Sequence, residues 1–444
     1  MRSVAVVGGG LAGITAALRV ADAGERVTLF EARARLGGLT HSFRRDGLWI
    51  DNGQHVFLRC CTAYRALLER LGVGDLVELQ PRLDVPVRSE ALRGTARLRR
   101  TNLPAPLHLG AAVARYRWLS PAARLRLARA VLALGRVDRA APATDELSFG
   151  AWLRAHGQGQ RAIDTVWDLI GVATLNAPAQ RASLALAATV FQVGLLETAD
   201  AADIGRARVP LQQLHGDAAL RALVEAGADV RPRTRVTELS PGRVGGWRVD
   251  GEEYDDVVLA VPPASAASLL PADAVDLPPG WVAALGSSPI INLHLVLDRP
   301  VLDEPFVAAV DGPLQWVFDR TTASGLEAGQ YLAVSLSAAD DLVGRSVADL
   351  RAWAMPHLER LLPDLRHAEL KDFFVTREPH ATFAPAPGSR RHRPPSTTRL
   401  PGLHLAGAWT ATGWPATMEG AVLSGEAAAA SVARSGTVFE VAAS

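Results

Sequence analysis

Residues 3–31 read SVAVVGGGLAGITAALRVADAGERVTLFE, and this stretch decides the fold. An apolar, β-branched run over residues 3–7 stops at three successive glycines. Residues 14–23 then carry a helical pattern, Gly24 closes it, and residues 26–30 form a second β-type run that ends on Glu31. Strand, glycine turn, helix and strand make the opening of a βαβ unit with a G-x-G-x-x-G turn. Gly8 permits the tight turn, Gly10 lets backbone approach a pyrophosphate, and Gly13 lets the helix lie close on the strand. The helix N-terminus then faces the phosphates with its free N–H groups, and Leu11 and Ala12 of the turn before it count among the cofactor residues. Glu31, twenty-one residues beyond Gly10, is placed to accept hydrogen bonds from the ribose hydroxyls of an adenosine. The same fingerprint serves NAD and FAD.

The rest of the 444-residue chain is long enough for two or three structural units. With 48% hydrophobic and 21% charged residues it has the make-up of a globular protein with a large core. Lys+Arg 47 against Asp+Glu 46 leaves a net charge of +1, so no overall field draws in a nucleic acid. Lys371 is the one lysine, and an arginine-rich composition lowers what any single arginine says. Cys60 and Cys61 are adjacent, which suits neither a disulfide scaffold nor a zinc site. Gly8, Gly9, Gly10 and Gly13 break the helix that a secretory signal would need. The apolar run 183–196 contains Gln192 and is too short to span a bilayer. A cytoplasmic protein, soluble or peripheral to a membrane, is expected, with no metal.

After Glu31 the sequence continues Ala32-Arg33-Ala34-Arg35-Leu36-Gly37-Gly38, which resembles the E-A-x-x-R-x-G-G segment of the FAD-dependent amine oxidase and carotenoid desaturase superfamily. The resemblance implies FAD as the cofactor, with Glu31, Ala32, Arg35, Gly37 and Gly38 against its ribose, ribityl chain and pyrophosphate. Residues 49–57, WIDNGQHVF, resemble the superfamily's D-x-G strand, which runs beside the flavin. Residues 403–421, LHLAGAWTATGWPATMEGA, resemble its closing flavin motif, a buried strand followed by a helix pointing at the ring. This adds Gly407, Ala408, Thr417, Met418 and Ala421 to the cofactor residues, and Val236 is similar to a position that brackets the adenine. D-N-G-Q-H-V together with W-T-x-T-G-x-P-A-T-M-E-G-A resembles the hydroxysqualene dehydroxylases in particular. Residues 175–178, 208–211, 315–320 and 381–385 extend that likeness over nearly the whole chain. One departure stands out, since Ala408 occupies a position where that family has Asp.

The resemblance implies an α/β fold, a Rossmann-like FAD-binding domain of the glutathione reductase type with an inserted α+β substrate domain. The FAD domain is expected to be discontinuous, over residues 1–85, 205–265 and 395–440, with substrate-binding residues at 86–204 and 266–394. Residues 230–239, 247–249 and 257–263 read as strands returning to the first domain, and 290–297, 314–318 and 331–336 as the substrate-domain sheet. Residues 93–139 hold eleven arginines and one acid, Asp138, with interleaved apolar positions. That stretch reads equally as a face for anionic membrane and as a solvated helical face.

The resemblance implies reductive loss of an allylic hydroxyl from a hydrophobic isoprenoid, hydroxysqualene, to give squalene. A hydroxyl leaves carbon only with proton donation or strong hydrogen bonding. His55, Asp51 and Glu419 are the candidates that the motifs bring near the flavin. Each has a structural alternative: His55 as a core histidine, Asp51 as an organiser of the D-x-G turn, Glu419 as a helix cap. Two other functions fit the same fold, an oxidative desaturase of a carotenoid-type polyene and a non-catalytic isoprenoid carrier. No segment of the sequence specifies an electron donor.

Overall fold

The computed structural model describes residues 1–243 and 245–442. Its centre is a five-stranded parallel sheet in the order Asp229–Pro232, Arg26–Glu31, Ser3–Val7, Asp256–Leu259 and Leu403–Leu405. The four strands other than the exposed edge strand Asp229–Pro232 are buried along almost their whole length because both faces of the sheet are covered, the usual setting of a parallel sheet. The helix Leu11–Asp22 packs on one face with the helix Met418–Ala442 beside it. The two helices come close at Gly425, where a Cβ would strike the carbonyl oxygen of Ala12. A Cβ at Gly13 would likewise run into the Gly8 carbonyl, so this glycine sets how near the first helix lies to its strand.

Residues 230–239 do not form the single strand that their composition predicts. Pro232 ends the ladder, and Arg233 turns the chain at φ +59°. Trp247–Val249 departs from expectation as well. It pairs with Leu239–Pro241 and Glu252–Tyr254 in a separate antiparallel sheet rather than joining the parallel one.

The second body is a seven-stranded sheet in the order Leu370–Thr382, Ser288–Leu297, Gln330–Ser337, Trp316–Asp319, Phe306–Val310, Asp84–Ser89 and Thr95–Arg99. Period-two alternation gives the strand Ser288–Leu297 two different faces. Ile291, Leu293 and Leu295 pack with Leu350, Ala354 and Leu358 of the helix Val347–Leu361. Asn292 and His294 point the other way. His294 stacks on Phe374 at 4.6 Å and hydrogen-bonds the Tyr331 hydroxyl at 2.6 Å and the Thr376 hydroxyl at 2.9 Å. Asn292 Nδ2 and Thr376 Oγ1 both donate to the Asn52 carbonyl, each at 3.2 Å, which ties the sheet to the D-N-G segment.

Helices between residues 110 and 196 complete the molecule around Phe149, Trp167 and Phe191. The apolar run 183–196 becomes the helix Leu184–Phe191 followed by a π-helical turn, Gln192–Leu196. Its one polar interruption is explained, because Gln192 Nε2 donates to the carbonyls of Leu134 and Val137 at the end of the helix Pro121–Leu134.

Candidate functional site

At the end of the first strand, Gly8 adopts φ +111° and donates its N–H to the Phe30 carbonyl at 2.7 Å. Gly10 is the N-cap of the first helix, and no side chain caps it. The first-turn N–H groups of Leu11, Ala12 and Gly13 therefore face outward toward an acceptor, with the positive end of the helix dipole behind them. Glu31 is buried, its Oε2 accepting from Gly9 N and its Oε1 from Arg33 N, both at 2.7 Å. Each carboxylate oxygen keeps a further lone pair for a ribose hydroxyl.

Gly37 N donates to the Gly9 carbonyl at 2.8 Å, so the paired glycines lie directly against the glycine-rich turn. A Cβ on Gly38 would come within 2.8 Å of the Gly10 Cα. Beside this junction Arg35 buries its Nε with no hydrogen-bond partner among the described residues. Burial and the neighbouring Arg33 lower the pKa of Arg35. An orphaned cation next to an uncapped helix N-terminus fits a diphosphate. Ala32 is exposed at the rim, and Val236 is buried in an extended segment after the Arg233 turn.

The closing motif forms the opposite wall. Gly407, at φ +138°, donates to Ser424 Oγ at 2.8 Å, and Thr417 Oγ1 accepts from Gly420 N at 3.1 Å across the first turn of the long C-terminal helix. Met418 opens that helix and Ala421 lies one turn in, both partly buried. Ala408 presents no carboxylate, but its carbonyl accepts from Arg393 Nη2 at 3.2 Å. The same guanidinium reaches the carbonyls of Thr410 at 2.5 Å and Trp414 at 2.8 Å, and lies 4.5 Å above the Phe383 ring. Burial lowers its pKa to about 10, which leaves it charged at neutral pH. Sequence reasoning missed Arg393, because one more arginine in an arginine-rich loop carries no signal.

Between these walls and the seven-stranded sheet lies a polar cluster. Asp51 Oδ2 accepts from Arg320 Nη2 at 2.6 Å, while Oδ1 accepts from Ser42 Oγ at 2.6 Å and Leu211 N at 3.1 Å. Both residues are buried, and Arg320 also donates to the Ala207 carbonyl at 3.1 Å. Asp51 thus organises its surroundings, with no oxygen left unengaged. His55 and Gln54 stand beside this pair around a cavity of about 10 Å³ that Phe318 and Leu211 close on the apolar side. Burial is the main influence on His55 and lowers its pKa, opposed by the Asp51 charge and a hydrogen bond to the Leu39 backbone. Gln54 Nε2 is buried without a partner.

Glu419, one of the three proton-donor candidates, is not in this cluster. Its carboxylate accepts from Ala63 N at 3.1 Å and Tyr64 N at 2.7 Å, capping the helix Thr62–Arg70. It caps a neighbouring helix, whereas the sequence pattern places the cap on its own. Among the described residues no group of three or more His, Cys, Asp or Glu side chains is arranged to hold a metal ion.

Comparison with known proteins gives a family and a fold. The family model described as flavin containing amine oxidoreductase matches residues 11–433. The hydroxysqualene dehydroxylase of Rhodopseudomonas palustris is 30% identical, over 96% of this chain and 97% of its own length. That of Zymomonas mobilis is 27% identical over the same shares. The 15-cis-phytoene desaturase of Synechococcus elongatus is 25% identical over 97% of this chain and 95% of its own. Among solved structures, putrescine oxidase superposes with a TM-score of 0.71 at 21% identity, covering 98% of this chain and 99% of that one. That last likeness is one of fold.

Proposed function

We propose that this chain, which belongs to the flavin containing amine oxidoreductase family and within it to the hydroxysqualene dehydroxylases, removes the hydroxyl of hydroxysqualene reductively to give squalene. The cofactor is FAD. We assign its diphosphate to Gly8, Gly10, Leu11, Ala12, Gly13, Arg35, Gly37 and Gly38, and its adenosine to Glu31, Ala32 and Val236. The flavin end falls to Gly407, Ala408, Thr417, Met418 and Ala421. Bound there, reduced FAD supplies two electrons and a hydrogen as hydride.

The protein's own part is to hold an extended apolar chain, keep water from the reacting carbon and help the hydroxyl leave. The observation that carries this reading is the polar cluster in which Asp51, Gln54 and His55 of the D-N-G-Q-H segment and Arg320 after the strand Trp316–Asp319 surround one small cavity. An oxidative desaturase acting on a hydrocarbon has no hydroxyl to place there. Of the three candidate donors, Asp51 is fully engaged and Glu419 caps a helix, so His55 is the side chain left to assist departure. With its pKa lowered, His55 works as a hydrogen-bonding imidazole and proton relay rather than as a standing cation.

The substrate belongs to the membrane, and the surface offers a way to reach it. Leu125 and Leu132, 55% and 54% exposed, alternate with Arg129 and Arg136 along one stripe of the helix Pro121–Leu134 and its continuation. We assign this stripe to peripheral contact with anionic lipid. No helix among the described residues is long and apolar enough to cross a membrane.

The deciding test is anaerobic. The FAD-loaded protein is reduced, hydroxysqualene is added, and flavin reoxidation is followed together with product by mass spectrometry. Reoxidation with one squalene per flavin is expected. Reduced flavin that persists, with bleaching of the oxidised protein by phytoene, establishes the desaturase reading instead; a colourless protein that binds the lipid establishes a carrier.

A further inference from the structure

The cavity beside His55 is small and polar, and it lies where two bodies of the molecule meet. Its floor comes from the D-N-G-Q-H segment that follows the strand Leu48–Asp51, and its roof from the strand Trp316–Asp319 of the seven-stranded sheet. A volume of about 10 Å³ is room for one water molecule or one hydroxyl group. A hydrocarbon chain does not enter it.

The charged side chains on its wall are already satisfied. Asp51 and Arg320 neutralise each other, Asp319 accepts from Thr321 and Gln330, and Arg206 pairs with Glu78. Gln54 differs from them, since its amide nitrogen is buried and donates to nothing among the described residues. A buried amide without a partner costs free energy of order 1–3 kcal/mol. Such a group is satisfied once a water or a ligand hydroxyl reaches it, and the cavity has room for one.

We propose that this cavity receives the hydroxyl oxygen of the substrate, with Gln54 Nε2 as the donor that distinguishes the alcohol from the hydrocarbon product. The inference rests on the dehydroxylase reading above. As the C–O bond breaks, its electron pair stays on oxygen, and the oxygen takes a proton relayed from solvent past His55 and remains in the cavity as water. Reduced FAD, held by the residues assigned above, would supply the hydride and electron pair that the vacated carbon needs, and would be oxidised by two electrons. Alcohol, proton and hydride thus become hydrocarbon and water. Gln54 is a donor aimed at the oxygen on which negative charge develops, and the same contact rejects squalene, which leaves the amide unmet.

The test measures binding to the oxidised, FAD-loaded protein, where no turnover occurs. Hydroxysqualene and squalene are titrated separately into wild type, Gln54→Leu and Gln54→Met, with flavin content and Tm recorded for each. Wild type is expected to prefer hydroxysqualene by about tenfold, a typical yield of one buried hydrogen bond. Both variants are expected to lose that preference while squalene affinity stays within about twofold. A preference that survives in a variant of normal flavin content overturns the proposal, as does a wild type with no preference. Failure of the parent reading is separately visible, because there wild type does not convert hydroxysqualene in the anaerobic assay at all.

Discussion

Arg393 is buried with no carboxylate within ion-pairing distance among the described residues, and its guanidinium is instead shared among backbone carbonyls of the closing flavin motif. A fork of five N–H donors suits this task, and a lysine does not reproduce it. Removing the fork strands several buried carbonyls at a cost of about 1–3 kcal/mol each, unless the loop rearranges. Arg393→Met is therefore expected to lower Tm by several degrees and to release FAD, with Arg393→Lys close behind. The ratio of flavin absorbance to protein after gel filtration checks it, and full retention of FAD by the methionine variant removes Arg393 from the cofactor wall. This residue also marks how far single residues can be read from sequence. The glycines are legible because the turn demands them at fixed spacing, and Glu31 because it ends the second strand beside that turn, where its carboxylate accepts from Gly9 N. Arg320 and Arg393 are not, because the chain has 47 basic residues, all but Lys371 arginine, and the carboxylate partner of Arg320 lies 269 positions away while Arg393 pairs with backbone carbonyls, which any sequence supplies.

At the scale of elements, the helix Thr62–Arg70 begins at Cys61 without a side-chain cap of its own and borrows Glu419 from the start of the C-terminal helix. Losing a cap costs about 1 kcal/mol. Glu419→Ala is thus expected to lower the unfolding free energy by that much, read from a lower urea midpoint at unchanged m. Glu419→Gln should recover most of it through the amide oxygen, with turnover intact in both variants. Loss of turnover at normal flavin content in the glutamine variant returns Glu419 to the chemistry. Strand and helix identities in the βαβ opening follow from local pattern, but this cap joins elements more than 350 residues apart and has no local signature. The Arg233 turn is similar, since its reversal is stabilised by Arg233 N donating to the Arg33 carbonyl across the sheet edge. On the outer stripe of the helix Pro121–Leu134, Leu125→Glu with Leu132→Glu is expected to abolish flotation with anionic liposomes and leave Tm nearly unchanged. Binding that persists, or that is absent from wild type whatever the salt, assigns the stripe to solvent.

For the molecule as a whole, the seam between the flavin body and the seven-stranded sheet is held by the Asp51–Arg320 pair and by His294 with its partners, while His41 and His215 are buried within the flavin body. Burial lowers His41 to about 4 and both His215 and His294 to about 3. The unfolded chain protonates these residues near pH 6.5 and the folded one does not, so each contributes stability that is present above pH 6.5 and lost as pH falls toward its folded value. Buried carboxyls act in the opposite sense. Asp168, raised to about 6 by burial, takes up its proton in the folded state first, and Glu378 and Glu419 are raised likewise. A bare pH profile of the wild type therefore mixes the two, and a difference between variants isolates one group. His294 bridges Tyr331 and Thr376 on the sheet face that meets Asn52, so His294→Gln is expected to destabilise most at pH 7. That penalty should shrink by about 1.4 kcal/mol per pH unit between pH 6 and 4, as wild type pays to keep its imidazole neutral and the variant does not. Urea unfolding of both proteins at pH 7, 6, 5 and 4 measures it. A penalty independent of pH means that His294 charges in place, and then the seam is held by the ion pair and the Asn52 contacts without it.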